Sequence, residues 1–303
     1  MASNSWSWRS LFGRRAEPKS IEEVGQRPIQ PPGFRDALGR TLVARVRVKG
    51  DLVCAVRDSL ALLSGASLGL RPGDSPLLLP RFGSGPAPLS TSPDFLAAVV
   101  EVLREQGARS VRVLDARSAA YPEPPGLAET CKAAGCELVE VRDGPWVRVQ
   151  VGGSLESVTI PRVAYEAEKL ALLPSPLVNS VTRFTMALAL PQELLHSEAR
   201  STLGKVRREE RLVEVNLAVR PWLVLMDARS ALVSKENLLI REPGYVLASG
   251  DPIALDVAAL KLLKGYPAKN KLDLPAWGFP QITAAIQLGL GATREDDTRL
   301  VEW

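Results

Sequence analysis

The sequence predicts an α/β protein: a mainly parallel sheet with crossover helices, preceded by an irregular N-terminal tail. Three observations carry that prediction. Two successive segments, "TSPDFLAAVVEVLREQGARSVRVLDA" from Thr91 and "PGLAETCKAAGCELVEVRD" from Pro125, each run helix, glycine stop, apolar strand. Parallel neighbours need crossovers of this kind. "SPLLLP" (75–80) is a short, fully apolar run of the sort buried on both faces of a parallel sheet. The chain of 303 residues, 46% hydrophobic and 24% charged, can bury one large α/β domain or two smaller lobes.

Taken in order, residues 1–40 are rich in Pro, Gly and Arg, with "RPIQPPG" at 27–33, and read as tail and linker ahead of a domain spanning 41–303. "TLVARVRV" (41–48) alternates as a strand does, and "DLVCAVRDSLALLSG" (51–65) follows as an amphipathic helix with Asp51 as its N-cap. The first repeated unit starts at a cap on Thr91 or Ser92, with Pro93 in the first turn, and its strand ends at Asp115. In the second, Gly135 stops the helix before a strand at 137–141. "WVRVQV" and "ESVTIPRV" around Gly152-Gly153 read as a hairpin or edge strands, and the stretch from Arg183 as helical pieces broken at Pro191 and near Gly204. "PWLVLMDA" (221–228) and "GYVLASGD" (244–251) are strands ending in an acid, and "AAIQLGLGA" closes the pattern as a short helix.

Composition narrows the chemistry. Net charge is +4, but aromatics are only 5% and the densest basic run, "KVRREER" (205–211), alternates with acids. It reads as a solvated helix face, so nucleic acid is not expected as a partner. The three cysteines, Cys54, Cys131 and Cys136, suit a reducing compartment, with Cys131 and Cys136 expected on opposite sides of a helix end. A single histidine, His196, leaves a His-based metal site or catalytic triad hard to assemble. No apolar run reaches membrane-spanning length, and the N-terminus lacks the apolar stretch of a signal peptide, so a cytoplasmic location is expected. That N-terminus combines Trp6, Trp8, Leu11 and Phe12 with Arg9, Arg14 and Arg15. Such a segment is expected to dock onto a partner protein or lie peripherally on a membrane, the plainer alternative being a tail whose aromatics pack back onto the domain.

The stretch "SGDPIALDVAALKLL" (249–263) poses the main chemical question. Asp251 sits where an N-cap belongs, before Pro252. Asp256 falls on the stripe of Ile253, Val257, Leu260 and Leu263, so it must be buried with partners. It either accepts hydrogen bonds from a neighbouring loop or lines a cleft beside strand ends.

These residues resemble the domain of unknown function 362 (DUF362) family. "SGDPIALDVAALKLLKGYP" is similar to its D-P-V-A-L-D helix, "LVLMDARSAL" to its I-V-D-G strand, "TSPDFLAAVVEVLREQGARSVRVLDA" to its T-D-P helix and following strand, and "VKGDLVCAVRDSLALLSG" to its opening strand–helix unit. The ordered set covers about residues 41–291. The departures fall on polar positions. Leu79-Pro80-Arg81 stands where K-P-N is usual; Ser175, Leu177 and Asn179 stand where the resemblance implies Lys, Lys and His; Ala189 and Leu190 replace Lys-Asn. The resemblance matches His196 to a later family histidine; read alone, it is a surface or capping residue. Some members carry ferredoxin-like clusters, which three scattered cysteines cannot supply.

The resulting expectation is a divergent family member that acts as a binding or assembly subunit with a degenerate ligand cleft, a pseudoenzyme without a cofactor. The cleft would gather Asp115, Asp227, Asp251, Asp256, Arg81, Asn179, Arg183 and His196, and residues 6–15 would dock. The alternative is an enzyme acting on a small anionic metabolite, with strand-end aspartates holding a divalent metal and Arg81, Arg183 and Arg229 supplying charge. Either way, Asp115, Asp227 and Asp251 are expected at one edge of the sheet.

Overall fold

The computed structural model describes residues 21–29, 31–64, 68–83, 85, 87–116, 126–141, 144–196, 199–200, 203–204 and 206–303. The docking segment expected at Trp6, Trp8, Leu11, Phe12, Arg14 and Arg15 lies outside them.

An eight-stranded sheet organises the chain. In sequence order its strands are β2 (Thr41–Arg47), β3 (Leu77–Pro80), β4 (Arg112–Asp115), β5 (Glu137–Glu140), β8 (Leu170–Leu173), β11 (Pro221–Ala228), β14 (Tyr245–Ser249) and β15 (Thr298–Glu302). In space they run β15–β2–β14–β11–β8–β3–β4–β5. All neighbours are parallel except at β14, which is antiparallel to both β11 and β2. One sheet thus takes strands from residues 41 to 302, and a division into two lobes is not realised.

The predicted crossover units are present. Helix α2 (Pro93–Glu105) joins β3 to β4, and α3 (Leu127–Ala134) joins β4 to β5. Gly135 ends α3 in the left-handed region at φ 67, the backbone form that glycine adopts without strain. Successive residues of each strand face opposite sides, and the core divides accordingly. Leu78, Val113, Ala171, Leu223 and Val246 pack under α1 (Leu52–Ser64), α2 and α3. Leu77, Leu79, Leu172, Val224 and Met226 belong to the core of the other face, which also takes in Ile253 and Leu260 of α6 (Pro252–Lys264) and Ile282 of α7 (Pro280–Gln287).

That second face also carries a small sheet of β1 (Glu22–Gly25), β6 (Trp146–Gln150) and β7 (Ser157–Pro161). The β6–β7 pair is the expected hairpin. β1 is a correction: it pairs with β6 inside the segment read as tail. Phe34, half-buried, packs against the core on the α1 face, and Arg35 bridges to Thr41. The folded body therefore starts by Glu22, because Val24 has an apolar surface to bury against. Two-residue strands β9 (Val178–Asn179) and β10 (Arg183–Phe184) and a hairpin of β12 (Ala231–Ser234) and β13 (Leu239–Arg241) lie beyond the carboxyl ends of β8 and β11. Helices α4 (Arg162–Glu166) and α5 (Arg208–Glu214) and a 3₁₀ turn at Leu190–Leu194 complete the connections.

Cys131 and Cys136 are not on opposite sides of the helix end. The turn at Gly135 brings Cys136 Sγ within 3.5 Å of the Cys131 carbonyl, and the thiol of Cys136 pushes the Cys131 thiol up from its ordinary value.

Candidate functional site

Open α/β sheets bind ligands outside the carboxyl ends of their strands, where neighbouring connections leave on opposite faces. Here that point lies between β3 and β8. The connection from β3 packs on the α1–α2 face, and the one from β8 on the other. The chain fills its own crevice. Thr91 Oγ1 accepts from the Arg81 amide at 2.8 Å and donates to the Leu173 carbonyl at 3.0 Å, stitching the ends of β3 and β8 together. Ser90 Oγ likewise donates to the Gly83 carbonyl at 3.0 Å.

Asp227, near the end of β11, is 3% exposed and belongs to this edge. Arg229, two residues on, takes it up with Nε at 2.9 Å and Nη2 at 2.8 Å from its two oxygens. The same guanidinium holds Asp94 at 2.6 and 3.0 Å, keeping that carboxyl down at about 2. Ser92, the N-cap of α2, caps no helix amide; it accepts from Arg229 at 2.7 Å and donates to Asp227 at 3.1 Å. The network leaves Asp227 neutralised and bridged to α2.

Arg81 is half-buried, with Nε and Nη1 lacking hydrogen-bond partners. Burial pushes its guanidinium down, and the Glu193 charge opposes that shift. Glu193 is pushed up by its own burial, opposed by Arg81 and Arg200.

The other expected site residues are dispersed. Asp115 is buried at the end of β4, on the same edge as Asp227. Asn179 Oδ1 accepts from the Val181 and Thr182 amides at 2.8 and 3.1 Å, so it shapes the β9–β10 turn. Arg183 holds a left-handed backbone at φ 60, 4.0 Å from Glu209 and over the Phe279 ring. His196 packs edge-on against Trp146 with centroids 4.9 Å apart, beside the small sheet.

Asp251 overturns the expectation of one shared edge. Because β14 runs antiparallel to β11, its carboxyl end lies at the edge opposite Asp227. Its side chain accepts from Ile253 at 2.8 Å and Ala254 at 3.1 Å, capping α6, and from Ala292 at 2.7 Å. Gly291 makes this approach feasible: a Cβ there would lie 2.3 Å from Asp251 Oδ1. Asp256, 0% exposed, accepts from Ala187 at 2.8 Å and Leu188 at 3.0 Å. It pins the loop before the 3₁₀ turn to α6, which is the bonding that burial demanded. Burial pushes this carboxyl up to about 7 against those two amides.

Among the described residues, no three His, Cys, Asp or Glu side chains come together as a metal group, and no helix is long and apolar enough to cross a membrane. Thr91 as the crevice bridge and Glu193 as the charge facing Arg81 were not legible in sequence. Each acts on a partner distant in the chain.

A curated relative, a thylakoid-associated protein of Synechocystis sp., is 26% identical over 268 residues, covering 82% of this chain and 78% of the relative. The family model described as "Domain of unknown function (DUF362)" matches residues 77–261, from the first crossover unit through most of α6. With more than half its length so matched, and the helix carrying Asp251 and Asp256 inside the match, the chain belongs to the DUF362 family.

Proposed function

We propose that this chain is a non-catalytic binding and assembly subunit, peripheral to a membrane, that docks through its aromatic-basic N-terminus onto an acidic face of a membrane-bound partner. One observation supports it above the rest: the switch-point crevice is occupied by the protein's own groups, with Thr91 bridging β3 and β8 and Arg229 neutralising Asp227. A group that must exchange protons or hold a metal needs free lone pairs, and Asp227, Asp251 and Asp256 direct theirs to internal donors. The thylakoid association of the relative supports the membrane-proximal location. Trp6, Trp8, Leu11 and Phe12 supply apolar contact, while Arg9, Arg14 and Arg15 favour an acidic surface.

Deleting residues 1–20, which spares β1, is expected to leave the melting temperature within about 2 °C of the parent. The full chain should co-sediment with the native membrane fraction of its own cells, and the truncated chain should not. Undiminished sedimentation of the truncated chain, or loss of most of its thermal stability, contradicts the docking role.

A further inference from the structure

A cleft of about 510 Å³ opens at the opposite, amino edge of the main sheet. It lies where the chain enters β3, β8 and β11 and leaves β14, and the segment around Pro31-Pro32-Gly33 crosses it. Four cations, Arg27, Arg71, Lys169 and Arg220, line it against two carboxylates, Asp74 and Glu168. Asp74 is engaged by the Arg71 backbone amide at 2.8 Å. Lys169 donates to the Gly69 carbonyl at 3.3 Å and sits 4.7 Å above the Trp222 ring. Arg27 donates to the Tyr165 carbonyl at 2.7 Å.

Arg220 and Asn216 stand apart. Arg220 Nε is buried without a hydrogen-bond partner. Its own burial and then the neighbouring Arg27 charge push the guanidinium down. Asn216 is 5% exposed, and its Nδ2 donates to Leu188 and Val213 carbonyls while Oδ1 has no partner. Buried polar groups are nearly always paired, and these two orphaned atoms, which lie just beneath the surface, belong to side chains that line one cleft. The Glu168 charge opposes the downward shift of Arg220 only in part, the cleft keeps more cations than carboxylates, and planar guanidinium forks match an oxyanion. Trp222 and Leu217 offer apolar surface, and the volume falls in the range of small-molecule sites, roughly 300–1,000 Å³.

We propose that this amino-edge cleft binds a small molecule carrying an oxyanion, phosphate or carboxylate, on a flat apolar body. Arg220 and Arg27 hold the oxyanion, and the body lies against Trp222. The site is separate from the switch-point crevice and stands or falls independently of the docking role.

Phenyl phosphate is the probe for a free ligand, and phosphatidylglycerol vesicles are the probe for the same group carried on a lipid. Calorimetric titration of the full chain with phenyl phosphate is expected to saturate at one site, and Arg220→Gln should weaken it about tenfold or more. Because Arg220 Nε lacks a partner and Arg27 repels the group, this variant should melt at or above the parent temperature. Arg27→Gln should reproduce the loss, so an unfolded variant at either position leaves the other decisive. Binding to vesicles alone, lost in the same variants, supports the site and assigns the oxyanion to a headgroup. No saturable binding of either probe, or binding unchanged in folded Arg220→Gln or Arg27→Gln protein, overturns it.

Discussion

Replacing Asp256 by alanine is expected to lower stability by roughly 3 kcal/mol, the largest single effect among the acids. The change strands the Ala187 and Leu188 amides in a dry interior, and a buried donor left unpaired costs about 1–3 kcal/mol. It also frees the loop at 186–190 from α6. The same carboxyl sets a pH dependence. Its folded value, about 7, stands above the roughly 3.9 expected of an unfolded aspartate. Between those values the folded state keeps a proton that the unfolded state has released. Stability should therefore be greatest below about pH 4 as far as this group is concerned, and should fall as pH rises towards 7. Urea unfolding of parent and Asp256→Asn protein at pH 5 and pH 7.5 reads this out: the parent loses stability between them, and the asparagine variant, lacking the titration, loses less. Equal losses in both would show that Asp256 is ionised throughout.

Arg229→Met should cost about 2–3 kcal/mol, because it leaves Asp227 buried with only Ser92 and a backbone amide as donors. Breaking a buried pair by removing one partner costs about 3–5 kcal/mol, and the partial exposure of Arg229 reduces that. Asp227→Leu combined with Arg229→Met should recover most of the loss, since no buried charge then remains unpaired and the released Asp94 is solvated. Urea unfolding of the two single variants and the double variant measures the coupling. Additive losses would mean that the pair is not the unit that holds β11 to α2.

The two repeated crossover units were legible because local signals agree there: a cap or proline, an apolar helix face, a glycine stop and an apolar strand fall within single segments. The buried, bonded state of Asp256 was legible for a related reason, since a carboxylate on an apolar helix stripe has few physical outcomes. The direction of β14 was the costly miss. No helix lies between Ala228 and Tyr245, only the short β12–β13 hairpin, and a parallel neighbour ordinarily needs a crossover helix. The signal was present, but an apolar strand ending in Gly-Asp looks the same in either direction. Strand β1 escaped because four residues among prolines carry little periodicity, and its strand character comes from pairing with β6, more than a hundred residues away. The amino-edge cleft was illegible for the same reason. Arg27, Lys169 and Asn216 meet only once the sheet has formed.

In the proposed role the acids of this fold are structural, with Asp227 consumed by Arg229 at the crevice where open α/β sheets place their chemistry. Calorimetric titration of the purified full chain with Mn²⁺ tests it most directly, since a divalent metal would compete with Arg229 for Asp227. No saturable binding is the predicted result; saturable binding that disappears in Asp227→Asn protein would contradict it.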